Sequence, residues 1–299
     1  MAPVGAPAGK ETFVLLRRLI LIVFLAGCSS QSDSPVSASD RETLERTAEA
    51  HAHDVPVATP AATTPPVAAV TGKTVSYGTV GGAPVEGWLV RPKQARGRLP
   101  GLIVIHEWWG LNDNVRDEAG RLAAEGYVVL AVDLYGGKLA TQPPAAMKLS
   151  QELTANPGPA EENLRAAYRY LDKVEKAPRI GTIGWCLGGR WSLRAALLFP
   201  DQIDATVIYY GSVKVTDAEL ATLRMPILGL FGSKDRVVPL PTVTAFEAAL
   251  QRLGKNADIR VYEGADHAFA NPSGTAYDAP AAEDAWRRTT AFLKDNLDQ

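Results

Sequence analysis

The stretch that decides the fold runs from residue 180 to residue 200 and reads IGTIGWCLGGRWSLRAALLFP. Its first part, Ile180–Gly184, is an apolar run that predicts a buried strand, and Leu187–Phe199 has the spacing of a helix that Pro200 ends. Between them lies a cysteine framed by glycines, in Gly184-Trp185-Cys186-Leu187-Gly188-Gly189. A strand, a sharp turn and a helix with a nucleophilic side chain at the tip are typical of a nucleophile elbow.

The elbow predicts a reactive thiol at Cys186. A side chain at a helix N-terminus meets free backbone N–H groups and the positive end of the helix dipole, and both lower the pKa of a thiol. The alternative is that Cys186 is a small buried apolar residue, which is common for free cysteines. The glycine frame favours the catalytic interpretation.

A thiol nucleophile needs a base, and the base needs a group that orients it. The chain has four histidines, and two of them lie near the N-terminus, so the base is His106 or His267. Asp235 and His267 each follow a predicted strand, and the order Cys186, Asp235, His267 is the nucleophile–acid–histidine order of α/β-hydrolases. Taken singly, Asp235 could serve a turn and His267 could be a surface histidine.

A second motif follows the predicted strand 101–105 and reads His106-Glu107-Trp108-Trp109-Gly110. In this order of elements the loop supplies one backbone N–H of an oxyanion hole, which we assign to Trp108, and the residue after the nucleophile, Leu187, supplies the other. Glu107 is unusual beside a thiol, because a buried unpaired charge is costly. A salt bridge with a nearby arginine is the alternative role for this glutamate.

Strands and helices alternate from residue 71 onward, which predicts an α/β-hydrolase fold with a mostly parallel central sheet and helices on both faces. We expect one domain over residues 71–299. The predicted strands are 74–80, 85–90, 101–106, 127–133, 180–184, 204–210, 226–231 and 258–263. The predicted helices are 116–125, 145–154, 161–176, 187–199, 241–253 and 281–297.

The motifs around Cys186, Glu107, Asp235 and His267 together resemble the dienelactone hydrolase family over about three quarters of the chain. The resemblance implies a carboxylic-ester or lactone hydrolase with Cys186 as nucleophile, His267 as base and Asp235 as its orienter. It also implies a thioester acyl-enzyme. By the same resemblance, Glu107 holds the resting thiol until substrate displaces it.

The chain departs from the family where the substrate carboxylate is held. The family places an arginine shortly after the histidine, whereas this chain has Asn271, and residues 136–156 contain no arginine. Asparagine cannot form a charged fork with a carboxylate. We therefore expect a small or medium uncharged ester, lactone or thioester, in a pocket lined by Trp109, Tyr210 and Asn271.

The N-terminus predicts a bacterial lipoprotein. Residues 1–27 combine a basic region, a short apolar run and the segment Leu25-Ala26-Gly27-Cys28, which is typical of a lipobox. We expect lipidation at Cys28, a flexible tether over 28–70 with some helical pattern at 39–50, and a periplasm-facing location in the cell envelope. An uncleaved anchor and an ordinary secretory signal are the alternatives. His51 and His53 lie in the tether, where two histidines alone make a weak metal site.

Composition and charge exclude some of the remaining classes of function. The net charge is -2 and no basic block occurs, so nucleic-acid binding is not expected. Nothing calls for a metal, a nucleotide or another cofactor, and we expect a monomer. Two other functions stay open: a serine-type esterase or peptidase activity run with cysteine, and a hydrolase-fold lipoprotein that mainly binds a ligand or partner.

Overall fold

The computed structural model of the chain describes residues 36–54, 56 and 65–298. Eight strands in these ranges form one sheet in the order β1-β2-β4-β3-β5-β6-β7-β8. The strands are β1 Val70–Val80, β2 Ala83–Pro92, β3 Gly101–Ile105, β4 Val128–Val132, β5 Ile180–Trp185, β6 Ala205–Tyr209, β7 Ile227–Gly232 and β8 Ala257–Tyr262. The helices are α1 Ala38–Ala50, α2 Asp113–Ala124, α3 Pro143–Ala155, α4 Gly158–Arg169, α5 Leu187–Leu198, α6 Asp217–Thr222, α7 Leu240–Arg252 and α8 Ala279–Leu297.

The sheet is mostly parallel, as predicted. β1 pairs antiparallel with β2 and β2 antiparallel with β4, and the pairs from β4 to β8 are parallel. Every residue of β3, β4, β5, β6 and β7 is buried, which explains why these strands are continuous apolar runs rather than alternating ones. The α/β-hydrolase fold is therefore confirmed.

Helices cover both faces of the sheet and divide the core into two layers. One layer contains apolar side chains of α4, α5 and α7, with Leu164 and Phe246 among them. The other contains side chains of α2 and α8, with Leu122 and Leu293 among them. These four side chains are 0 to 4% exposed, so burial of apolar area on both faces holds the helices to the sheet.

Two helical segments differ from the sequence prediction. The helix predicted over 161–176 instead ends as α4 at Arg169 and continues as one wider turn over Tyr170–Val174. Apolar spacing does not distinguish such a turn from a regular one. The short helix α6 was not predicted, although Thr216 and Glu219 cap it reciprocally in a capping box.

The segment predicted as a flexible tether contains an ordered helix. In α1, the Ser37 side chain caps the N-terminus and Leu44 and Thr47 are buried. Arg190 forms an ion pair with Asp40 at 3.0 Å, which links α1 to the elbow helix α5. The helical pattern at 39–50 is therefore present as α1, but the segment is docked on the domain rather than free, because contacts that composition does not reveal order it.

The lipoprotein predictions fall on other residues. The signal over residues 1–27 and Cys28 lie outside the described residues. Among the helices that are described, none combines the length and the apolar character needed to cross a bilayer.

Candidate active site

Cys186 lies at the tip of the turn between β5 and α5, with φ at 54°, a backbone conformation that non-glycine residues rarely adopt. Its N–H donates to the carbonyl of Tyr209 at 3.0 Å. The flanking glycines are required by close backbone packing: a Cβ on Gly184 would lie 2.2 Å from Gly188 O, and one on Gly188 would lie 2.1 Å from Ile105 O. The elbow predicted from the sequence is present.

The structure brings the three predicted residues of the triad together. Nε2 of His267 lies 3.2 Å from Sγ of Cys186, and Nδ1 of the same ring lies 2.8 Å from Oδ2 of Asp235. Asp235 follows β7 and His267 follows β8, and these two neighbouring strands continue the parallel order β5-β6-β7-β8 from the elbow strand β5. The loops at the carboxyl ends of adjacent parallel strands therefore converge on the elbow.

Asp235 is held rigidly. Its Oδ1 accepts hydrogen bonds from the backbone N–H groups of Val237 at 2.7 Å and Val238 at 2.8 Å, which leaves Oδ2 for the histidine. Asp235 and His267 are 3% and 2% exposed. Charge–charge and hydrogen-bond interactions in this position are strong because water does not screen them.

The electrostatics favour an ionised thiol. Burial by itself raises the pKa of the Cys186 thiol, but the charge and hydrogen bond of His267, helped by His51, lower that pKa to about 6. Burial lowers the pKa of His267, and the charges of Asp235 and Cys186 outweigh it, so the pKa of His267 lies well above its ordinary value. The pair is therefore biased towards thiolate and imidazolium.

His106, the other candidate base, has a structural role. The side chain is fully buried, Nδ1 lies 2.6 Å from the carbonyl oxygen of Glu107, and Nε2 accepts from the N–H of Leu134 at 3.1 Å. Burial lowers the pKa of His106. Both ring nitrogens are occupied by backbone groups, so this ring holds the loop after β3 in place.

Glu107 is buried near the thiol but is bonded elsewhere. Its Oε2 accepts a hydrogen bond from Nδ2 of Asn271 at 2.7 Å, and its Oε1 has no hydrogen-bond partner. Burial and the charge of Cys186 raise the pKa of Glu107 to about 8. The predicted contact in which Glu107 holds the thiol is thus not the arrangement here, and its partner is an amide rather than an arginine. A short polar side chain at 271 reaches this carboxyl group.

The two residues predicted for the oxyanion hole lie on adjacent loops. β3 pairs with β5, with Ile105 opposite Gly184, so Trp108 and Leu187 follow neighbouring strand ends. Leu187 is the first residue of α5, and the first N–H groups of a helix have no partner within it. This placement suits two N–H groups that point at one substrate oxygen.

The predicted pocket residues are more enclosed than expected. Trp108 and Trp109 are 1% and 2% exposed, packed with Ala140 and Ala146 and against Ala48 of α1, so they do not form an open rim. Tyr210 is fully buried, its hydroxyl has no hydrogen-bond partner, and its ring centroid lies 5.3 Å from that of His267. The pocket beside Cys186 is lined by Leu44, Thr47, Trp108, Tyr210 and His267.

The site contains two residues that the sequence did not assign to it: Asp54, and His51, which was noted only with His53 as a weak metal pair. His51 is 1% exposed, and its Nδ1 lies 2.6 Å from Oδ2 of Asp54. Burial lowers the pKa of His51, but Asp54 and Cys186 raise it to about 9. The His-x-x-Asp spacing was a signal of a local pair, but only docking of α1 places that pair against the thiol.

Fold and site together define a protein of the α/β-hydrolase class with Cys186, His267 and Asp235 assembled at its nucleophile elbow. A sequence model of the dienelactone hydrolase family matches residues 85–297. The chain belongs to the dienelactone hydrolase family, which makes it a hydrolase of the carboxylic-ester and lactone type.

Individual relatives agree with this assignment. The chain is 34% identical over 223 residues to protein usf of Aquifex pyrophilus, covering 72% of this chain and 95% of that protein. It is 30% identical over 252 residues to a protein of Saccharolobus solfataricus provisionally named carboxymethylenebutenolidase, covering 71% and 95%. A crystal structure of a provisionally named dienelactone hydrolase from Klebsiella pneumoniae superposes with a TM-score of 0.68 at 29% identity, covering 75% of this chain and 98% of that one.

Proposed function

We propose that this protein hydrolyses small uncharged carboxylic esters or lactones through a Cys186–His267–Asp235 triad and a thioester intermediate. The observation that carries the proposal is the continuous line from Sγ to Nε2 at 3.2 Å and from Nδ1 to the carboxylate at 2.8 Å. A thiol with a pKa of about 6 is largely ionised at neutral pH, so the nucleophile is formed before substrate arrives.

The reaction proceeds in two halves. The sulfur of Cys186 forms a bond to the substrate carbonyl carbon, and the carbonyl electrons move to the oxygen, which accepts from the N–H groups of Leu187 and Trp108. The tetrahedral intermediate collapses to a thioester as the C–O bond breaks, and His267 donates its proton to the departing alcohol oxygen. His267 then takes a proton from water, the hydroxide attacks the thioester, and the acid leaves with the thiolate restored. Each oxyanion donor contributes about 3–4 kcal/mol.

The lining of the site supports an uncharged substrate. Asn271 stands where the family's arginine is expected, and its amide is engaged with Glu107 at 2.7 Å. Trp108 and Tyr210 present apolar surface beside the thiol. Burying a substrate carboxylate without a free cationic partner is costly. Arg190 lines the pocket but is paired with Asp40 at 3.0 Å, and the buried His51 is paired with Asp54.

A substrate panel tests the proposal. Purified enzyme is assayed with neutral p-nitrophenyl esters, a neutral lactone and a lactone that carries a carboxylate, with and without iodoacetamide. We expect kcat/KM for the neutral substrates to exceed that for the anionic lactone by at least about 10-fold, since charge burial costs more than 1.4 kcal/mol. Cys186→Ala and iodoacetamide should abolish hydrolysis. Turnover that survives both would eliminate the cysteine mechanism.

A matched variant tests the role of position 271. Asn271→Arg introduces a cation near the pocket. We expect it to raise kcat/KM for the anionic lactone relative to kcat/KM for the neutral lactone. The control is Asn114→Arg, because Asn114 also lines the surface near Glu107 but donates to Ser273 at 2.6 Å. An equal change in both variants would mean that general charge, not position 271, sets the preference.

We also propose that the protein is a monomeric lipoprotein anchored through lipid on Cys28, facing the periplasm. The support is the lipobox sequence Leu25-Ala26-Gly27-Cys28. Cys28→Ala or globomycin should release or mislocalise the protein in fractionated cells, while Cys186→Ala should remain in the membrane fraction. Unaltered membrane association of Cys28→Ala would contradict the proposal.

A further inference from the structure

A second histidine–aspartate pair lies beside the thiol of Cys186. The ring of His51 is 5.5 Å from that of His267, centroid to centroid, with the two planes 77° apart. His51 and Asp54 are 1% and 6% exposed. Nδ1 of His51 is engaged by Asp54, and its Nε2 is buried without a hydrogen-bond partner. Ester hydrolysis by the triad transfers protons through one imidazole, so the mechanism above uses His51 only as a charge near the thiol and gives its Nε2 no bond.

The two pairs have the same internal arrangement. In each, a carboxylate oxygen contacts Nδ1, at 2.6 Å for His51 and 2.8 Å for His267, so that Nε2 is the nitrogen not engaged by a carboxylate. Ligand atoms of His51, His267 and Cys186 all lie within 4.8 Å of one another. A carboxylate on the far nitrogen of each imidazole is the arrangement that orients metal-binding histidines.

The donor set selects the kind of ion. One thiolate and two neutral imidazoles suit Zn²⁺, whereas hard cations such as Mg²⁺ and Ca²⁺ prefer oxygen ligands. Tetrahedral bonds of about 2.3 Å to sulfur and about 2.0 Å to nitrogen place ligand atoms roughly 3.3–3.6 Å apart. The observed 3.2 Å between Sγ and Nε2 of His267 is close to that range, and a separation of 4.8 Å, the upper limit for these atoms, would have to shorten by about 1.2–1.5 Å.

We propose that His51, Cys186 and His267 form a Zn²⁺ site in which metal binding reversibly blocks the nucleophile. The ion takes Sγ and the two Nε2 atoms as ligands and leaves the fourth position to water. Binding releases the protons held by the thiol and imidazoles, because only the deprotonated atoms coordinate. Sγ then cannot attack a carbonyl and His267 cannot transfer a proton. The site goes beyond the proposed hydrolysis, and metal binding does not depend on the ester cleaved.

Asp54 prepares this site by fixing the N-terminal segment to the domain. Its Oδ1 accepts from the N–H of Thr275 at 2.8 Å and from the hydroxyl of the same residue at 2.7 Å, while Oδ2 contacts His51. His51 is thereby positioned before any ion arrives. Preorganised ligands lose little conformational entropy on binding, so a three-ligand site of this kind is expected to bind tightly.

Cobalt spectroscopy tests the site without substrate. Reduced protein is titrated with Co²⁺. We expect the strong visible absorption bands of tetrahedral cobalt and a near-ultraviolet thiolate-to-metal charge-transfer band. Cys186→Ser should lose the ultraviolet band. His51→Ala should weaken Zn²⁺ affinity, measured by competition with a chelating dye, by at least about 100-fold. The control is His53→Ala, because His53 is exposed two residues away and should keep the parent affinity.

Several results would overturn the proposal. Weak octahedral cobalt bands, an unchanged spectrum in His51→Ala, or an equal loss of affinity in His53→Ala would each remove His51 as a ligand. Asp54→Asn keeps the size of the side chain, and we expect it to lower affinity by about 10- to 100-fold. If His51→Ala does not fold by circular dichroism, Asp54→Asn decides, and an unchanged Zn²⁺ affinity in it would refute the site.

A separate arm distinguishes this inference from the proposed function. Ester hydrolysis is measured in a chelating buffer and then with rising free Zn²⁺. The parent enzyme should be inhibited with the same midpoint as the dye competition, and His51→Ala should need about 100-fold more Zn²⁺ relative to its own metal-free rate. Metal binding without ester hydrolysis would contradict only the proposed function. Hydrolysis without tetrahedral metal binding would contradict only the proposed metal site.

Discussion

Two histidine–aspartate pairs lie beside one sulfur, and they are built in different ways. His267 and Asp235 lie 32 residues apart in the chain and meet because β7 and β8 are neighbours in the sheet. His51 and Asp54 are three residues apart, at the end of α1, and reach the thiol because that segment docks on the domain. The first pair belongs to the sheet itself, whereas the second depends on a docked segment held by local contacts.

This difference in construction predicts different roles for the two pairs, one in proton transfer and one in access to the thiol. Strand pairing gives the first pair a rigid frame, which a proton transfer over 3.2 Å requires. The second pair rests on α1, whose side chains Leu44 and Thr47 form part of the pocket wall. A segment with fewer contacts opens at lower free energy than the core. We therefore expect the first pair to control turnover and the second to control what reaches the thiol.

The largest expected effect comes from removing the first pair's members. Cys186→Ala, or His267→Ala, should lower kcat/KM for a neutral ester by at least about 1,000-fold, because the nucleophile or its base is lost. His51→Ala should lower it by less than about 10-fold. Steady-state assays in a chelating buffer measure both. Equal losses at His51 and His267 would erase the proposed division between the pairs.

The pH dependence of thiol alkylation gives the second prediction. With the thiol pKa at about 6, the rate with iodoacetamide should rise with pH through about 6 and then level off, since the thiolate reacts. His267→Ala removes the main charge that lowers this pKa, so the midpoint should move up towards about 8–9. His51→Ala should move it in the same direction by a smaller amount.

The midpoint is the informative quantity in that experiment. Loss of His51 also changes access to the thiol, which scales the rate at every pH without moving the midpoint. His53→Ala is the control, because that side chain is exposed. A midpoint that moves more for His51→Ala than for His267→Ala would reverse the assignment of the dominant charge.

The third prediction concerns docking of the N-terminal segment. Asp54→Ala removes the contacts with His51 and Thr275, which should weaken docking by about 2 kcal/mol and raise the undocked population roughly 30-fold. Alkylation of Cys186 at fixed pH should accelerate accordingly. Asp40→Ala is the matched control, because its ion pair with Arg190 is half-exposed and should contribute less than about 1 kcal/mol.

The smallest expected effect is at Glu107. Its raised pKa of about 8 means that the carboxyl group is mostly protonated at pH 7, so Glu107→Gln mimics the neutral form there. Alkylation at pH 7 should change by less than about 3-fold. Above pH 8 the thiol is ionised in both proteins, so the two rates should also agree within that factor, although the parent then carries a buried negative charge. A difference larger than about 3-fold at any pH would show that Glu107 controls the thiol.

Much of the fold was readable because its central strands are short apolar runs. All eight strands were predicted near their observed positions. The five strands β3 to β7 are buried on both faces and leave a continuous apolar signal, whereas β1, β2 and β8 keep exposed residues. The wide turn after α4 was missed because its apolar spacing does not differ recognisably from that of a regular helix. The helical pattern of α1 was visible in the sequence, but its docking was not, because docking depends on contacts made far away in the chain.

Local sequence determined the elbow. The sharp turn at a strand end brings backbone segments so close that only glycine fits on either side of the cysteine. Local sequence also placed Asp235 and His267 at strand ends, where the order of strands brings them together. Tertiary structure alone decided that His106 supports a loop, that Glu107 bonds to Asn271, and that His51 lies against the thiol. These outcomes depend on which surfaces pack together, and packing between segments distant in sequence leaves no periodic pattern along the chain.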